Sequence, residues 1–390
     1  MTGRRAVYAD HHATTPLRAE ALEAMLPWLA SLAANASSIH GPGRAARNAV
    51  ESARERVAAA LGARPDEVVF TSGGTESDAL AIRGGASAAR KAEPARTRVV
   101  TSAAEHAAVR EAARSLEADG FEPVEAPVDA RGLPKEEPFL AALGARTALV
   151  SLILANNETG VVNDRLTAAA RAATGAGALV HTDAVQAVGK IPVRPSALEV
   201  DLLSFTAHKF GGPKGAGVLW VRKGVLLTPL FAGGGQERGR RGGTENVPAV
   251  AGLAAALDAA VAGLEAESRR VGALRDRFEA GLLERVPGVR FNGRDGRGGV
   301  RLPTASSVTF PGVDGETLLV ALDLEGIAAS SGSACASGTP APSRVLLACG
   351  MPAGEVRATL RFSFGATTTE EDVETLLEIV PALVPRCRAA

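Results

Sequence analysis

Apolar residues recur every three to four positions over residues 17–34 and 43–61, in "LRAEALEAMLPWLASL" and "GRAARNAVESARERVAAAL", which predicts two amphipathic helices. Farther along, the pattern changes. Short apolar runs follow one another: "EVVFTS", "RVVTS", "TALVSLILA", "GALVHTD", "VDLLSFTA" and "GAGVLWV". The first three lead into helix-like stretches that start near Thr75, His106 and Asp164. Continuous apolar runs of this length, bounded by turn residues, read as strands buried on both faces. Interleaved with helical stretches they predict an α/β fold, a mostly parallel sheet flanked by helices.

Residues 246–287 are rich in Ala, Leu, Glu and Arg and almost free of breakers, which predicts one or two long helices leading away from that sheet. After "FNGRDGRGG" come "SSVTF", a helix near 315–325, "ATLRFSF" and a last helix near 370–386, the pattern of a small α+β domain. A chain of 390 residues accommodates such a pair, one large domain and one smaller. No apolar stretch reaches membrane-spanning length, and "MTGRRAVYADHHATTP" lacks the apolar core of a signal peptide, so a cytoplasmic protein is expected.

Charge narrows the partners. Lys+Arg and Asp+Glu both number 43, so no general field draws the chain to nucleic acid or to an anionic membrane. "RGRRGGTEN" is short, carries acids and lacks aromatics, which is poor material for binding RNA. The three cysteines, Cys335, Cys349 and Cys387, are too few and too scattered for a disulfide framework or a metal site. Cys349 reads as a core residue on a helix, and Cys387 falls at a fraying C-terminal end.

Three strand ends carry chemistry. In "VVFTSGGTESDALAI" a strand runs through Gly73-Gly74 to a helix opening at Thr75; free N–H groups at a helix start bind phosphate. In "GALVHTDAVQAVGK" Asp183 ends a strand, three residues before Gln186. In "VDLLSFTAHKFGGPKG" Lys209 follows a strand and His208. Taken singly, each has an ordinary reading: a plain strand–turn–helix junction, a helix N-cap and a solvated loop lysine. Together they meet a specific demand. Pyridoxal phosphate needs a lysine for its aldehyde, a carboxylate for its ring nitrogen and helix-start donors for its phosphate.

In this combination the chain resembles the cysteine desulfurases of the NifS/IscS type, within the class V aminotransferases of the fold-type I pyridoxal-phosphate enzymes. The resemblance runs from "ADHHATTP" through "NASSIHGPGRAAR", "FTSGGTESDALAI", "AAEHAAV", "NNETGVV", "HTDAVQAVGK", "SFTAHKFGGPKGAG", "GGGQERGRRGGTENV" and "SSGSACASG" to "LRFSFG". It implies pyridoxal 5′-phosphate on Lys209, with Asp183 at the ring nitrogen, Gln186 at the ring hydroxyl and His106 stacked on the ring, where it would also act catalytically by helping to move protons. Gly74, Thr75, Thr206 and His208 would hold the phosphate. Thr244 would reach the phosphate of a neighbouring subunit, which implies a homodimer. Asn157 and Arg361 would hold the substrate carboxylate, a role that the planar fork of Arg361 suits independently. The implied division is an N-terminal segment 1–16 joining the small domain, a cofactor-binding large domain 17–260 and a small domain 261–390. No metal is implied.

The implied reaction takes L-cysteine to L-alanine and leaves its sulfur on Cys335 as a persulfide, for an acceptor such as an iron–sulfur scaffold or a tRNA-thiolation enzyme. Selenocysteine lyases and other class V enzymes are the rival reading. Cys335 lies in "SSGSACASGTPAPS", small residues that suit a loop expected to carry the thiol between pocket and acceptor. His12, Ala79 and Gly243 depart from the family's usual small or amide residue, Asn and Ser.

Overall fold

The computed structural model of the chain describes residues 5–294, 300–331 and 342–388. Strand β1 (Val7–Tyr8) comes first, and a seven-stranded sheet then forms from β2 (Val68–Thr71), β3 (Arg98–Ser102), β4 (Glu122–Ala126), β5 (Thr147–Ser151), β6 (Leu179–Asp183), β7 (Leu202–Thr206) and β8 (Gly217–Val221). Its order is β2-β8-β7-β6-β5-β3-β4. Strands β4, β3, β5, β6 and β7 run parallel, and β8 runs antiparallel to both β7 and β2. The apolar runs alone do not show that reversal. After Lys209 the chain turns back through Gly211, whose φ is +91° and whose missing side chain leaves room for Arg18. No crossover helix intervenes.

Alternate residues of each strand enter different cores, which accounts for the continuous apolar runs. Val68, Phe70, Val100, Val150, Val180, Leu203, Phe205 and Val218 pack with the helices Gly41–Leu61 and Val247–Ala262. Val69, Val99, Leu149, Leu202, Leu219 and Val221 face the other way, toward Leu80, Ile82 and Val109.

A third core belongs to the rest of the chain. The helix Leu264–Arg285 and the helix Glu370–Leu383 cover a three-stranded antiparallel sheet of β9 (Arg290–Phe291), β10 (Ala305–Thr309) and β12 (Thr359–Ser363), in the order β12-β10-β9. Strand β11 (Ile327–Ala328) pairs in parallel with β1, so Val7 and Ala9 join this core from the start of the chain. Cys387 corrects the expectation of a fraying end. It is buried in the same core, and its carbonyl accepts from Asp314 N at 3.2 Å.

Among the described residues no single helix is long and apolar enough to cross a membrane. The helices Val247–Ala262 and Leu264–Arg285 meet that measure only as a pair bent by 73°, and the first of them is a core helix.

Candidate active site

The carboxyl ends of the parallel strands converge on a cavity of about 230 Å3, the usual place for a ligand in an open α/β sheet. Gly74, Thr75, His106, Asn157, Asp183, Gln186, Thr206, His208, Lys209 and Arg361 all line it. His12, Ala13, Asp78, Ile153 and Val185 complete the wall.

Lys209 enters from the 3-10 turn Ala207–Lys209 that ends β7. Its Nζ donates to the carbonyls of His12 (2.6 Å) and Ala13 (2.8 Å). Burial pushes its pKa down to about 8, with Arg361 adding to the effect while Asp10 and Asp183 oppose it. Roughly a tenth of the amine is thus in its nucleophilic, neutral form at neutral pH, far more than for an ordinary lysine.

Asp183 ends the neighbouring strand β6 and is buried, its Oδ1 accepting from Val185 N at 2.9 Å. Asp78, one turn into the helical run from Gly74, lies close by. One ligand atom each from Asp78, His106 and Asp183 falls within 4.8 Å of the others. Burial raises the pKa of both carboxyls; Asp183 acts on Asp78 in the same direction, while His106 and Lys209 relieve Asp183. Two acids crowded in a dry place resist ionising together, and a cation beside them would favour their charged form. His106 caps the helix Ala107–Ser115, its Nδ1 accepting from Ala108 N at 3.2 Å. Its ring is exposed at the cavity opening, yet the surrounding protein displaces enough water to lower its pKa, against the pull of Asp183.

Another part of the cavity wall suits an anion. The helical run begins at Gly74, and the first-turn amides of a helix have no acceptor within it. A side chain at position 74 would strike Val185 Cγ2 at 2.9 Å, so glycine keeps the backbone accessible there. Thr206 Oγ1 donates to Ala216 O at 2.9 Å, and His208 Nδ1 meets Thr14 Oγ1 at 3.1 Å. Burial, then Lys209 and Lys214, hold His208 down at about 4.

A third region is built on Arg361, from the middle of β12. This guanidinium is 3% exposed, donating to Asp10 Oδ1 at 2.7 Å and to Asn157 O at 3.0 Å. Among the described residues its Nε and the Asn157 Oδ1 are buried without partners. Unpaired buried polar atoms are costly, and two of them beside one cavity mark the place of a polar ligand. His12 ties the region together. Its ring meets Asn157 O at 3.0 Å through Nδ1 and Thr304 Oγ1 at 2.9 Å through Nε2. Burial keeps this imidazole neutral at physiological pH, and a carbonyl only accepts. The proton therefore sits on Nδ1, and Thr304 donates to Nε2.

Two of the residues expected at the site stand apart. Thr244 is exposed and outside the cavity wall. Cys335, with Gly332, Gly338 and Pro340 of its loop, lies outside the described residues. Cys349 ends the short helix Arg344–Ala348, packed beside Ala104, Val128 and Val345. Burial, then Asp129 and Glu158, push its thiol up to about 12. Since the thiolate is the reactive form, iodoacetamide at pH 8 should leave Cys349 unmodified in native protein and label it after denaturation, as read by peptide mass spectrometry.

Asp78, Glu105 and Lys190 carry no role in the sequence reading. Glu105 is buried beside His106, accepts from Ser102 Oγ (2.6 Å) and Ile153 N (2.9 Å), and is raised to about 8 by burial. The one available signal was spacing: Lys190 falls four residues after Gln186.

A model of the class-V aminotransferase family matches residues 7–376. The chain is 47% identical over 385 residues to a cysteine desulfurase of Cereibacter sphaeroides, covering 98% of this chain and 97% of that one. It is 44% identical over 387 residues to the cysteine desulfurase IscS of Methanosarcina thermophila, covering 99% and 94%. Its structure resembles that of a NifS-like protein with a TM-score of 0.89 at 36% identity, over 98% of this chain and 100% of that one.

Proposed function

The chain belongs to the class-V aminotransferase family and, within it, to the cysteine desulfurases, and from that premise we propose how its residues divide the work. The cofactor we assign is pyridoxal 5′-phosphate, and the cavity fits it. The depressed amine of Lys209 suits the aldehyde, and the crowded carboxyls of Asp183 and Asp78 suit a protonated ring nitrogen. Gly74 and Thr75, with Thr206 and His208, would take the phosphate, Gln186 the ring hydroxyl and His106 the ring face. When bound, the cofactor supplies an electron sink for negative charge at the substrate's α-carbon.

The substrate is L-cysteine. Arg361 and Asn157 hold its carboxylate, which supplies an acceptor for the buried Arg361 Nε, while Asn157 would turn its amide nitrogen to it. Lys209, which would hold the cofactor at rest, would with substrate bound be the base that accepts the α-proton. The Cys335 thiolate attacks the substrate's sulfur, not a carbon. A sulfur–sulfur bond forms, the carbon–sulfur bond breaks, and its electron pair is protonated on carbon. L-cysteine and a thiol become L-alanine and a persulfide, with no outside oxidant.

The observation that carries this reading is the meeting of Lys209, Asp183 and Arg361 in one cavity. The protein would act in the cytoplasm as a homodimer, with Thr244 completing the partner's phosphate site. It would pass sulfur to an iron–sulfur scaffold or a thiolation enzyme. The test is mass spectrometry. Borohydride reduction should fix one cofactor on Lys209, and unreduced protein incubated with L-cysteine should gain 32 Da per added sulfur (roughly, for any persulfide) on Cys335, with alanine formed. Sulfur on Cys349 or Cys387, or a cofactor adduct elsewhere, would overturn the assignment.

A further inference from the structure

Lys190 is a buried lysine that none of these steps uses. It is 7% exposed, and its Nζ donates to Gln186 Oε1. Among the described residues no carboxylate bonds to it. The far end of the same amide, Gln186 Nε2, donates to His12 O at 3.0 Å, and that carbonyl also accepts from Lys209 Nζ at 2.6 Å. One chain of hydrogen bonds therefore runs from Lys190 through Gln186 and the His12 carbonyl to Lys209.

We propose that Lys190 is a positioning residue: by bonding the oxygen of the Gln186 amide, it keeps the amide nitrogen turned toward Lys209 and the active cavity. The amide direction follows from its partners. A carbonyl only accepts, so the end facing His12 O must be the nitrogen. Oε1 then faces Lys190, which has to donate, whether it is charged or neutral. Without Lys190 the oxygen would be buried with no donor, a costly state in which nothing fixes which way the amide faces. Turned, Gln186 would set its oxygen beside the His12 carbonyl, where Lys209 is the donor that both oxygens would share. On the proposed function, on which this half of the inference rests, the cofactor's ring hydroxyl also loses its donor.

The sign follows. An acceptor near Lys209 favours its protonated form, so its pKa rises. The other titratable or charged groups facing Lys209 are Asp10, Asp183 and Arg361, with His12, His106 and His208 around them. The three histidines are all held below their ordinary value, so they stay neutral through the range in which Lys209 titrates.

The test begins with cofactor-free protein. Reductive methylation of Lys209, followed by peptide mass spectrometry across pH, should show a midpoint near 8 in the native sequence. Lys190→Met should raise the midpoint by about one unit. Lys190→Arg, which keeps a donor and borders a small cavity of about 80 Å3, should restore it. In a Gln186→Leu background Lys190→Met should add little. In loaded protein the pH midpoint of the cofactor's visible absorbance should shift in parallel. An unchanged midpoint in Lys190→Met, with only a lowered Tm, would overturn the proposal, as would a full shift in the Gln186→Leu background. A native protein that takes up no cofactor would sink the functional reading alone, because the Lys209 titration needs none.

Discussion

Lys209→Ala protein is expected to lose desulfurase turnover by at least about a thousandfold, because in the proposed function one side chain supplies both the group that holds the cofactor's aldehyde and the base for the α-proton. No other lysine can replace it. Lys91, Lys135, Lys214 and Lys223 are exposed, outside the cavity wall, and Lys190 is bonded to Gln186. The depressed pKa of Lys209 also sets the pH dependence of loading. A lysine held at about 8 is half free amine at that pH, whereas an ordinary one near 10.4 would be roughly 0.4% free. Cofactor capture by stripped protein should therefore rise with pH through a midpoint near 8 and level off above it, as followed by visible absorbance after mixing. A midpoint near 10, or an alanine variant that still turns over, would show that another amine does the work.

The parts of this site that could be read from the residues are those in which a side chain type is rare for its position. A lysine and an aspartate at the ends of buried strands, and an arginine in the middle of one, are each costly enough to suggest a function. Those three, Lys209, Asp183 and Arg361, reach the same cavity. The sheet was legible for a related reason. Strands such as Leu202–Thr206 are buried on both faces and read as unbroken apolar runs. The direction of β8 was not, because a hairpin and a crossover need the same apolar strand and differ only in the turn at Gly211.

Residue types alone did not give roles to His106, Asn157, Gln186 or Thr244; for these the family resemblance was needed. What neither source offered were contacts made by backbone. The His12 carbonyl meets Gln186 and Lys209, 174 and 197 residues away along the chain. No side-chain pattern records such an acceptor. Asp78 and Lys190 stand in no pattern that marks them out, and only the packing removes their water.

Arg361→Leu is expected to raise the KM for L-cysteine by about a hundredfold or more while leaving cofactor uptake intact. Two effects add. On the proposed assignment the substrate carboxylate loses charge-assisted hydrogen bonds worth about 3 kcal/mol together, which is roughly 10²-fold in binding. Asp10, now paired with Arg361 at 2.7 Å, is left as a bare negative charge facing the place where that carboxylate should sit. The backbone should tolerate the change, since leucine suits a buried strand and position 361 keeps its pairing with Ser307 in β10. Arg361→Lys should recover only part of the loss, because a point charge cannot reproduce the fork that reaches Asp10 and Asn157 O together. Adding Asp10→Asn to Arg361→Leu should lower KM again by removing the repulsion. Alanine formation across cysteine concentrations separates these terms. A fall in kcat at unchanged KM would instead place Arg361 in the chemistry and leave the substrate carboxylate without an assigned partner.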